Sequence, residues 1–577
     1  MSTGPMNSGS PLLIGNASGF YGDRFDAVRE MLDGGPLHVL TGDYLAELTM
    51  LILGRDLVKD PKLGYAKTFL RQMEANLGLA KDKGVRIVAN AGGLNPAGLA
   101  AALRELVDRL GLAVSVAHVE GDDLRGRATE LGLCEPGQAE PLTANAYLGA
   151  WGIAECLRAG ADVVVTGRVT DASLVVGPAI AHFGWDARDL DQLAGATAAG
   201  HVLECGAQAT GGNYAFFTEI ADRDRPGFPI AELHADGSSV ITKHPGTGGA
   251  VTVDTVTAQL LYEIGGAGYP GPDVTARFDT VELTQQGRDR VRISGVRGFP
   301  PPSTLKVCLN TVGGWRNATT FVLCGLDIEA KAELVRGQLE SAIGADGLTW
   351  TLARTDHADA DTEETASALL HATIKTTDPK RAKAFSRAAV ELALASYPGF
   401  HVTAPPADGT PFGVYRAGYV SRKDVSHVAV LPGGARVEIV EVGHDQPDWV
   451  LAWEDEIPPS PPEPTTAAPL GTAFGARSGD KGGDANLGVW ARSDAGFRWL
   501  VHELTVDRLR HLLPEVADLE VERHQFANLR AVNFVVHGLL GEGVASSTRF
   551  DPQAKALGEW LRARVVDLPA SLLKGER

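Results

Sequence analysis

The sequence is poor in cysteine, in long apolar runs and in positive charge. Its 5 cysteines are odd in number and show no C-x-x-C pairing, which favours a reducing compartment and gives no sign of a structural zinc. No apolar run approaches the length of a membrane span, and the first residues lack the basic region and apolar core of a signal peptide. We therefore expect a cytoplasmic protein with no membrane partner, whose residues 1–11 form a disordered tail.

The charge balance is acidic. The chain has 577 residues, of which 53 are lysine or arginine and 72 are aspartate or glutamate, for a formal net charge of -19. This balance argues against nucleic acid or an anionic membrane surface as the main partner. It still permits a small anionic ligand, because one local group of arginines or one helix N-terminus is enough to bind it. We expect a small-molecule substrate and a chain that forms a homo-oligomer.

The familiar cofactor and hydrolase motifs are also missing. There is no H-E-x-x-H and no G-x-S-x-G. GAGYPG at 266–271 matches G-x-G-x-x-G, but it follows a helical run and Pro270 interrupts it, so it does not predict a dinucleotide site. The sequence predicts no metal site and leaves the cofactor unknown.

The glycine-rich stretch GARSGDKGGDANLG, Gly475–Gly488, looks like a phosphate-binding loop but fails its spacing. It has three residues where a P-loop has four, and Gly482 stands where a P-loop has Ser or Thr. One interpretation is a glycine-rich turn between two strands, with solvated or locally paired charges. The other is a loop that contributes Arg477 and Lys481 to a site.

The N-terminal part of the sequence alternates short apolar runs with helical patterns. The runs are PLLIG (11–15), PLHVL (36–40), VRIVA (85–89), LAVSVAHV (112–119) and ADVVVTG (161–167). Continuous apolar strands separated by helices predict an α/β fold with a parallel sheet covered on both faces. The pattern does not separate a doubly wound sheet from a partial barrel.

The later parts of the sequence show a different pattern of apolar residues and turn signals. Alternating strands, turn signals and a few helices predict an α+β extension, and a proline-rich stretch predicts a linker of moderate stiffness. Beyond the linker, strands at 470–475 and 485–491 with a turn between them, then a helix, two strands and a helix, predict a small ferredoxin-like α+β domain. The expected organisation is a tail at 1–11, a first domain at 12–453 divided into a parallel α/β core at 12–230 and an α+β portion at 231–453, the linker at 454–469, and the small domain at 470–577.

Polar, glycine-bearing loops follow the apolar runs. Because the carboxyl ends of parallel strands share one edge of the sheet, where ligands bind, we expect these loop residues to converge. The candidates are Asn16, Ser18, Tyr21, Asp23, Arg24, Asp43, Glu47, Asn90, Gly92, Gly93, Asn95, His118, Asp122, Arg168 and Asp171.

The charged candidates also have structural interpretations. Asp43 and Glu47 lie four residues apart at the start of a predicted helix, so they form either an acid/base or metal-binding pair, or a helix cap and a solvated carboxylate. Arg168 and Asp171 form either a structural ion pair, or an anion-binding arginine with a base or orienting acid. His118 is either a proton carrier or a hydrogen-bonded histidine at a strand end.

Glycines and one cysteine leave similar alternatives open. Gly92 and Gly93 either permit a tight turn or let a ligand approach the backbone. The segment GHVLECGAQATGGNYAFF is a further candidate, since it contains His201, Glu204 and Cys205. Cys205 as a nucleophile would need a nearby base and a lowered pKa, whereas a buried inert thiol is the alternative.

Taken together, these segments resemble the acyclic terpene utilisation protein A family. The motifs that carry the resemblance are IGNASGFYGDR, TGDYLAE, NAGGLNP, VEGDDL, TANAYLGAW, GADVVVTGRVTDASL, GHVLECGAQATGGNY and PPSTLKV. GARSGDKGGDANLGV and RAVNFVVHGLLGEGV resemble the small ferredoxin-fold domain that follows in this family. The resemblance covers almost the whole chain. It implies a place in the bacterial breakdown of acyclic terpenoids or related branched acids, on acyl-CoA thioesters beside a biotin-dependent carboxylase, and it carries over no catalytic residues.

The sequence-based hypothesis is an enzyme that acts on a branched-chain or acyclic-terpenoid acyl-CoA or carboxylic acid by hydration, lyase or hydrolytic chemistry. Asp43 and Asp171 are predicted to do the acid/base work, with Glu47 and His118 in support. The predicted ligand-binding residues are Asn16, Ser18, Arg24, Asn90, Gly92, Gly93, Asn95, Asp122, Arg168, Arg477 and Lys481. The alternative is a non-catalytic accessory or scaffold protein that docks an acyl-CoA carboxylase through its small domain.

Overall fold

The computed structural model describes residues 10–135, 140–440 and 456–573. The chain forms two compact units: the first takes in residues up to 310, 415–544 and from 553 onward, and the second takes in 311–414 and 545–552. Residues 1–9 of the predicted tail lie outside the described residues, as do 441–453 of the α+β portion and 454–455 of the predicted linker.

Strands and helices follow one another along both units. The strands are β1 (Leu12–Asn16), β2 (Val39–Gly42), β3 (Arg86–Ala89), β4 (Val116–Glu120), β5 (Thr143–Ala146), β6 (Val163–Thr166), β7 (Pro229–Leu233), β8 (Ser239–Lys243), β9 (Gly268–Pro270), β10 (Thr275–Arg277), β11 (Glu282–Gly287), β12 (Arg290–Ser294), β13 (Arg297–Phe299), β14 (Thr304–Cys324), β15 (Leu348–Ala353), β16 (Ser367–Thr376), β17 (His401–Val402), β18 (Thr410–Ser421), β19 (Val428–Val430), β20 (Arg436–Glu438), β21 (Thr465–Pro469), β22 (Phe474–Lys481), β23 (Asp484–Ala491), β24 (Val521–Phe526), β25 (Ala531–Val536) and β26 (Val565–Pro569). The helices are α1 (Ala27–Gly34), α2 (Glu47–Lys59), α3 (Lys67–Lys83), α4 (Pro96–Leu110), α5 (Trp151–Arg158), α6 (Ser173–Phe183), α7 (Leu190–Leu203), α8 (Val253–Leu260), α9 (Ile328–Ile343), α10 (Pro379–Glu391), α11 (Asp494–Glu503), α12 (Val506–Leu512), α13 (Leu557–Ala563) and α14 (Ala570–Leu573).

An 11-stranded sheet organises the first unit, in the order β11-β12-β8-β7-β1-β2-β3-β6-β4-β19-β20. The predicted apolar runs form its parallel centre, β1-β2-β3-β6-β4. Their side chains are buried on both faces because α1, α3 and α4 cover one face and α5, α6 and α7 cover the other. The predicted α/β class is confirmed, and the sheet is open, with edges at β11 and β20.

Antiparallel strands extend this sheet on both sides. β7 pairs with β1 and continues through β8, β12 and β11, while β19 pairs with β4 and carries β20. Strands from before and after residue 230 therefore share one sheet. No helix in the described parts of the chain is long and apolar enough to cross a membrane.

The second unit has its own small core. β16 pairs with β15 on one side and with β14 on the other, and β17 pairs with β14. Helices α9 and α10 supply apolar side chains such as Val335 and Phe385, which pack with Phe321 and Leu370 of the sheet. This unit contributes no residue to the site described below.

The C-terminal domain lies within the first unit and is built on the antiparallel sheet β22-β23-β25-β24. Alternate strand residues such as Leu487, Val489 and Phe534 face α11, α12 and α13 and form a separate core. The predicted small ferredoxin-like α+β domain is confirmed.

The glycine-rich stretch is a strand pair, and its prediction as a long turn was wrong. β22 and β23 stay paired as far as Lys481 opposite Asp484, so the turn consists of Gly482 and Gly483 alone. The first strand accordingly begins at Phe474 and not at 470. The segment looked like a loop because glycine is common both in turns and in strands that pack closely against another part of the protein.

The glycines of this hairpin allow one sheet face to lie directly on the large domain. A Cβ atom at Gly479 would be 2.4 Å from the ring of Tyr262, and one at Gly488 would be 2.7 Å from Leu261. Trp490 comes next on the same face and is 1% exposed, within the apolar core of the large domain. The glycine pattern therefore reflects packing between two sheet layers and not phosphate binding.

Two buried asparagines fix this contact. Asn486 accepts a hydrogen bond from the amide of Glu263 at 2.8 Å and donates to Asn533. Asn533 donates to the carbonyl of Gly265 at 2.6 Å. Glu263 has a φ of 55°, a left-handed conformation that is strained for a glutamate, so these bonds hold its backbone in place.

Candidate functional site

The loops after the central strands bring five charged residues together at the carboxyl edge of the sheet. Asp43 follows β2, Arg168 and Asp171 follow β6, Glu47 begins α2, and Glu204 follows α7. Their charges act on one another's pKa values, which shows that they form one group. These five residues are named the strand-end cluster.

Asp43 is the innermost acid of the cluster and is 5% exposed. Its Oδ1 accepts hydrogen bonds from Asn90 Nδ2 at 2.5 Å and from the amide of Leu45 at 3.1 Å. Burial, and then the negative charge of Asp171, raise the pKa of Asp43 well above its ordinary value, although Arg168 and Asn90 oppose the shift. Its surroundings therefore favour the protonated form of Asp43. It does not cap α2, whose N-cap residue is Ala46.

Arg168 and Asp171 form a close pair. Arg168 Nη1 donates to Asp171 Oδ1 at 2.7 Å and to the carbonyl of Leu45 at 3.0 Å, and the guanidinium lies 4.2 Å from the ring centre of Tyr147. Arg168 is 3% exposed, whereas 26% of the Asp171 side chain is exposed. Burial raises the pKa of Asp171 in spite of Arg168. Asp171 is thus an acid that solvent can reach, backed by a buried cation.

The pKa of Glu47 is shifted in the opposite direction to those of Asp43 and Asp171. Burial alone would raise its pKa, but the charges of Lys306 and Arg168 and a hydrogen bond from Tyr147 lower it to about 2. Tyr147 donates its hydroxyl to Glu47 Oε1 at 3.0 Å, and Lys306 Nζ lies 3.6 Å from the same oxygen. Glu47 remains ionised beside carboxyls whose pKa values are raised.

Glu204 and its partner His201 belong to the site, although the sequence-based set of site residues did not include them. His201 Nδ1 lies 3.1 Å from Glu204 Oε1, and the side chains are 1% and 7% exposed. Burial, and then Asp171, raise the pKa of Glu204 well above its usual value, while burial lowers that of His201 to about 4. Burial therefore favours the neutral form of both residues. Glu204 Oε2 and His201 Nε2 are buried without a hydrogen-bond partner among the described residues.

Three of the predicted ligand-binding residues support the cluster from behind. Asn16 donates to the backbone carbonyls of Leu203 and Glu204. The carbonyl of Ser18 accepts a hydrogen bond from the amide of Asp43 at 2.9 Å. Asn90 bonds to Asp43. The side-chain amides and backbone groups at these three positions hold Asp43 and the backbone of Glu204 in place. The polar atoms that do so already form hydrogen bonds within the protein.

The loop after β3 is occupied by contacts within the protein. Asn95 caps α4 by accepting the amide of Gly98 at 2.9 Å, and it also donates to the carbonyl of Leu63 at 2.9 Å. A Cβ atom at Gly92 would lie 2.5 Å from the carbonyl of Thr166, and one at Gly93 2.7 Å from that of Gly64. These contacts match the structural interpretation of the loop.

Two more candidates lie apart from the cluster. Arg24 donates to Glu30 at 3.1 Å and to the carbonyl of Pro226 at 3.0 Å. His118 is 5% exposed within β4, and the charges that act on it are those of Glu120, Arg104 and Arg436. Burial lowers the pKa of His118. Neither the arginine nor the histidine shares a partner with the strand-end cluster.

Asp122 has a supporting position. It is 2% exposed and accepts hydrogen bonds at 2.8 Å from the amide of Arg168 and from Asn145 Nδ2. Burial raises its pKa to about 7. Asp122 therefore fixes the backbone that presents Arg168.

Asp122 provides a test of this geometry by pH. Because its pKa is about 7 in the folded protein and 3.8 as a model value, the folded state binds the proton more tightly, and stability falls as pH rises from about 4 to 7. We expect Asp122→Asn, which cannot ionise, to remove up to about 4 kcal/mol of that fall. The measurement is the unfolding free energy of both proteins in urea across this range. Parallel pH curves would contradict the burial of an ionisable Asp122.

The small domain adds further charges to the edge of the cluster. Lys481 donates to the carbonyl of Glu263 at 3.1 Å, and Lys555 lies 3.4 Å from Asp480 and also bonds to the hydroxyl of Tyr262. Burial raises the pKa of Asp480 to about 7. The sheet of the small domain thus brings Lys481 and Asp480 close to charged residues of the large domain at the edge of the strand-end cluster.

Two residues singled out in the sequence match structural interpretations. Arg477 donates to the carbonyl of Asn213 at 2.8 Å and lies 4.5 Å from the ring centre of Tyr262. Burial, and then Glu204, raise the pKa of the Cys205 thiol well above its ordinary value. This protonated thiol fits the interpretation of an inert cysteine.

Within residues 10–135, 140–440 and 456–573, no three His, Cys, Asp or Glu side chains have the arrangement that holds a metal ion. The site combines carboxyls with raised pKa values, one glutamate with a lowered pKa and a buried arginine.

Comparison with family models matches this architecture. The model of the acyclic terpene utilisation family protein AtuA matches residues 12–431, nearly three quarters of the chain. The chain belongs to the AtuA family. The model of the AtuA ferredoxin-like domain matches residues 469–567 of this AtuA-family protein. Membership implies a role in the utilisation of acyclic terpenes. Comparison with curated proteins gave no match.

Proposed function

We propose that this AtuA-family protein is an enzyme that acts on a branched-chain or acyclic-terpenoid acyl-CoA or carboxylic acid by hydration, lyase or hydrolytic chemistry. One observation carries the proposal: the strand-end cluster contains carboxyl groups whose pKa values are shifted in opposite directions. Asp43 has a raised pKa and Glu47 a pKa of about 2, with the Arg168–Asp171 pair beside them. Environments that separate the pKa values of neighbouring carboxyls are typical of acid/base catalysis.

Each residue has a role in this proposal. Asp171 is accessible and exchanges a proton with the substrate or an attacking water. Asp43 keeps a proton in reserve behind it, and Glu47 stays ionised to orient or deprotonate water. The buried charge of Arg168 stabilises negative charge that develops on the substrate carbonyl oxygen. In a hydration, water gives a proton to the base, its oxygen bonds to an alkene carbon, and the acid protonates the neighbouring carbon.

The scaffold alternative has less support. A docking domain needs a free surface, whereas the sheet face of the small domain that carries Gly479, Gly488 and Trp490 is covered by the large domain. Buried carboxyls with raised pKa values also cost stability when they ionise, and a scaffold has no use for them. Copurification of a carboxylase subunit at physiological salt, without turnover of any acyl compound, would favour the scaffold.

A thermal-shift screen tests the proposal. A ligand at 100 times its Kd stabilises the folded state by about 2.7 kcal/mol, which raises the melting temperature. We expect a shift with branched or terpenoid acyl-CoAs or their free acids, and a smaller shift in Arg168→Gln, whose buried cation is lost. Lys59→Gln, at the exposed end of α2, is the matched control and should shift as the wild type does. Equal shifts in all three proteins would place the ligand elsewhere.

A further inference from the structure

Lys481 carries a positive charge that the protein leaves unmatched. It ends β22, is accessible to solvent, and its ammonium group has one hydrogen-bond acceptor in the described chain, the carbonyl of Glu263 at 3.1 Å. No carboxylate oxygen of the described residues forms an ion pair with it. Asp484, across the hairpin, is engaged by His537 at 3.0 Å.

The other carboxylates near Lys481 are engaged as well. Glu263 Oε1 lies 3.5 Å from Lys555 Nζ, and Glu47 Oε1 lies 3.6 Å from Lys306 Nζ. The charges that act on Lys481 are those of Lys306, Glu263, Glu47 and Asp484. Partial removal from water, and then the positive charge of Lys306, lower the pKa of Lys481 to about 8. Among the described residues, Lys481 is therefore an ammonium group without a carboxylate partner of its own, and the charge of Lys306 also acts on it.

A third donor borders the same place. The hydroxyl oxygen of Tyr415 is buried and has no hydrogen-bond partner among the described residues. Its ring lies under the hairpin turn, since a Cβ atom at Gly482 would be 2.6 Å from a ring carbon. Tyr415 also packs against the apolar group that contains Tyr147, and the ring centre of Tyr147 lies 4.8 Å from Lys306 Nζ.

We propose that Lys481, Lys306 and the Tyr415 hydroxyl bind a free carboxylate of the substrate, separate from the carbonyl that reacts at the strand-end cluster. A carboxylate carries one negative charge, which matches the one unmatched ammonium, and its two oxygens accept several of the free N–H and O–H donors. The ligand class is therefore a dicarboxylic acid or its monothioester. This inference rests on the proposed function in one respect: the proposed function identifies which end of the substrate reacts.

Calorimetric titration of the full chain with glutarate tests the subsite. A charge-assisted hydrogen bond contributes about 1.5–3 kcal/mol, so we expect Lys481→Gln and Lys306→Gln each to weaken glutarate binding by about 10- to 100-fold. Lys59→Gln should bind as the wild type does. The dimethyl ester of glutarate, which has no free carboxylate, should bind more weakly to the wild type, whereas the monomethyl ester, which keeps one, should still bind. Equal affinity of all variants, equal affinity for the dimethyl ester, or binding of coenzyme A alone that needs both lysines would overturn the proposal.

Chemical labelling gives a second measurement on the unmodified protein. The free amine of Lys481 reacts with an acylating reagent, and near pH 8 about half of it is unprotonated. A bound carboxylate favours the ammonium form, so glutarate should slow the labelling of Lys481, and its dimethyl ester, which has no free carboxylate, should not. Unchanged labelling would overturn the subsite. The result does not depend on turnover, so it stays readable if Asp43 and Asp171 prove to have no catalytic role.

Discussion

Replacing Asp171 with asparagine is expected to lower kcat by about 10²- to 10⁴-fold, the usual contribution of a positioned acid or base. The amide has the shape of the carboxyl and still accepts a hydrogen bond from Arg168, but it cannot carry a proton. Asp43→Asn is expected to lower kcat by a similar factor. Asn90 and Leu45 hold the Asp43 carboxyl in place as a proton donor, and the asparagine amide cannot replace it in that role. The measurement is steady-state turnover of the acyl compound that gives the largest thermal shift.

The fold should survive both changes. Arg168 keeps the carbonyl of Leu45 as an acceptor at 3.0 Å, and melting temperatures should stay close to that of the wild type. Asp82→Asn, an exposed acid on α3, is the matched control and should retain full activity. Full activity in both Asp43→Asn and Asp171→Asn would remove this site from consideration.

The second large effect concerns stability. Trp490→Ala is expected to destabilise the first unit by about 3–5 kcal/mol, as for other buried large-to-small changes. The indole is 1% exposed, and its ring centre lies 6.3 Å from that of Tyr214 and 6.4 Å from that of Phe216. Truncation leaves a cavity between the small domain and the large one, since Gly475 on the neighbouring strand has no side chain to fill it.

Urea denaturation measures this cost. Trp490→Phe keeps an aromatic ring at the same place and should lose clearly less stability than the alanine variant. Trp490→Ala should also change the labelling rate of Lys481, because Trp490 and Lys481 belong to the same sheet. A loss below about 1 kcal/mol in Trp490→Ala would mean that the sheet face is not packed as described.

Much of the fold follows from the sequence because apolar runs must be buried. Runs such as VRIVA and ADVVVTG have no polar face, so a sheet covered on both sides is the arrangement that satisfies them. The carboxyl-edge rule then places Asp43, Arg168 and Asp171 near one another. The later antiparallel strands were harder to assign to this sheet, because strand pairing between distant segments leaves little local signal.

The rest of the site depends on contacts that no short segment encodes. The loop NAGGLNP has the letters of a ligand-binding loop, yet its glycines face Thr166 and Gly64. Glu204 follows a helix and not a strand, so the edge rule does not select it. The hairpin glycines face Tyr262 and Leu261, more than two hundred residues earlier in the chain, and only the folded structure shows why side chains are excluded there.

The mutual influence of the acids in the strand-end cluster has a consequence for kinetics. Asp43, Asp171 and Glu204 each shift the protonation of another member, so protons leave the group in macroscopic steps that belong to no single residue. A pH–rate profile will therefore report constants of the whole set. Removing one acid should move the remaining apparent constants downward, and the effects of double replacements will not add.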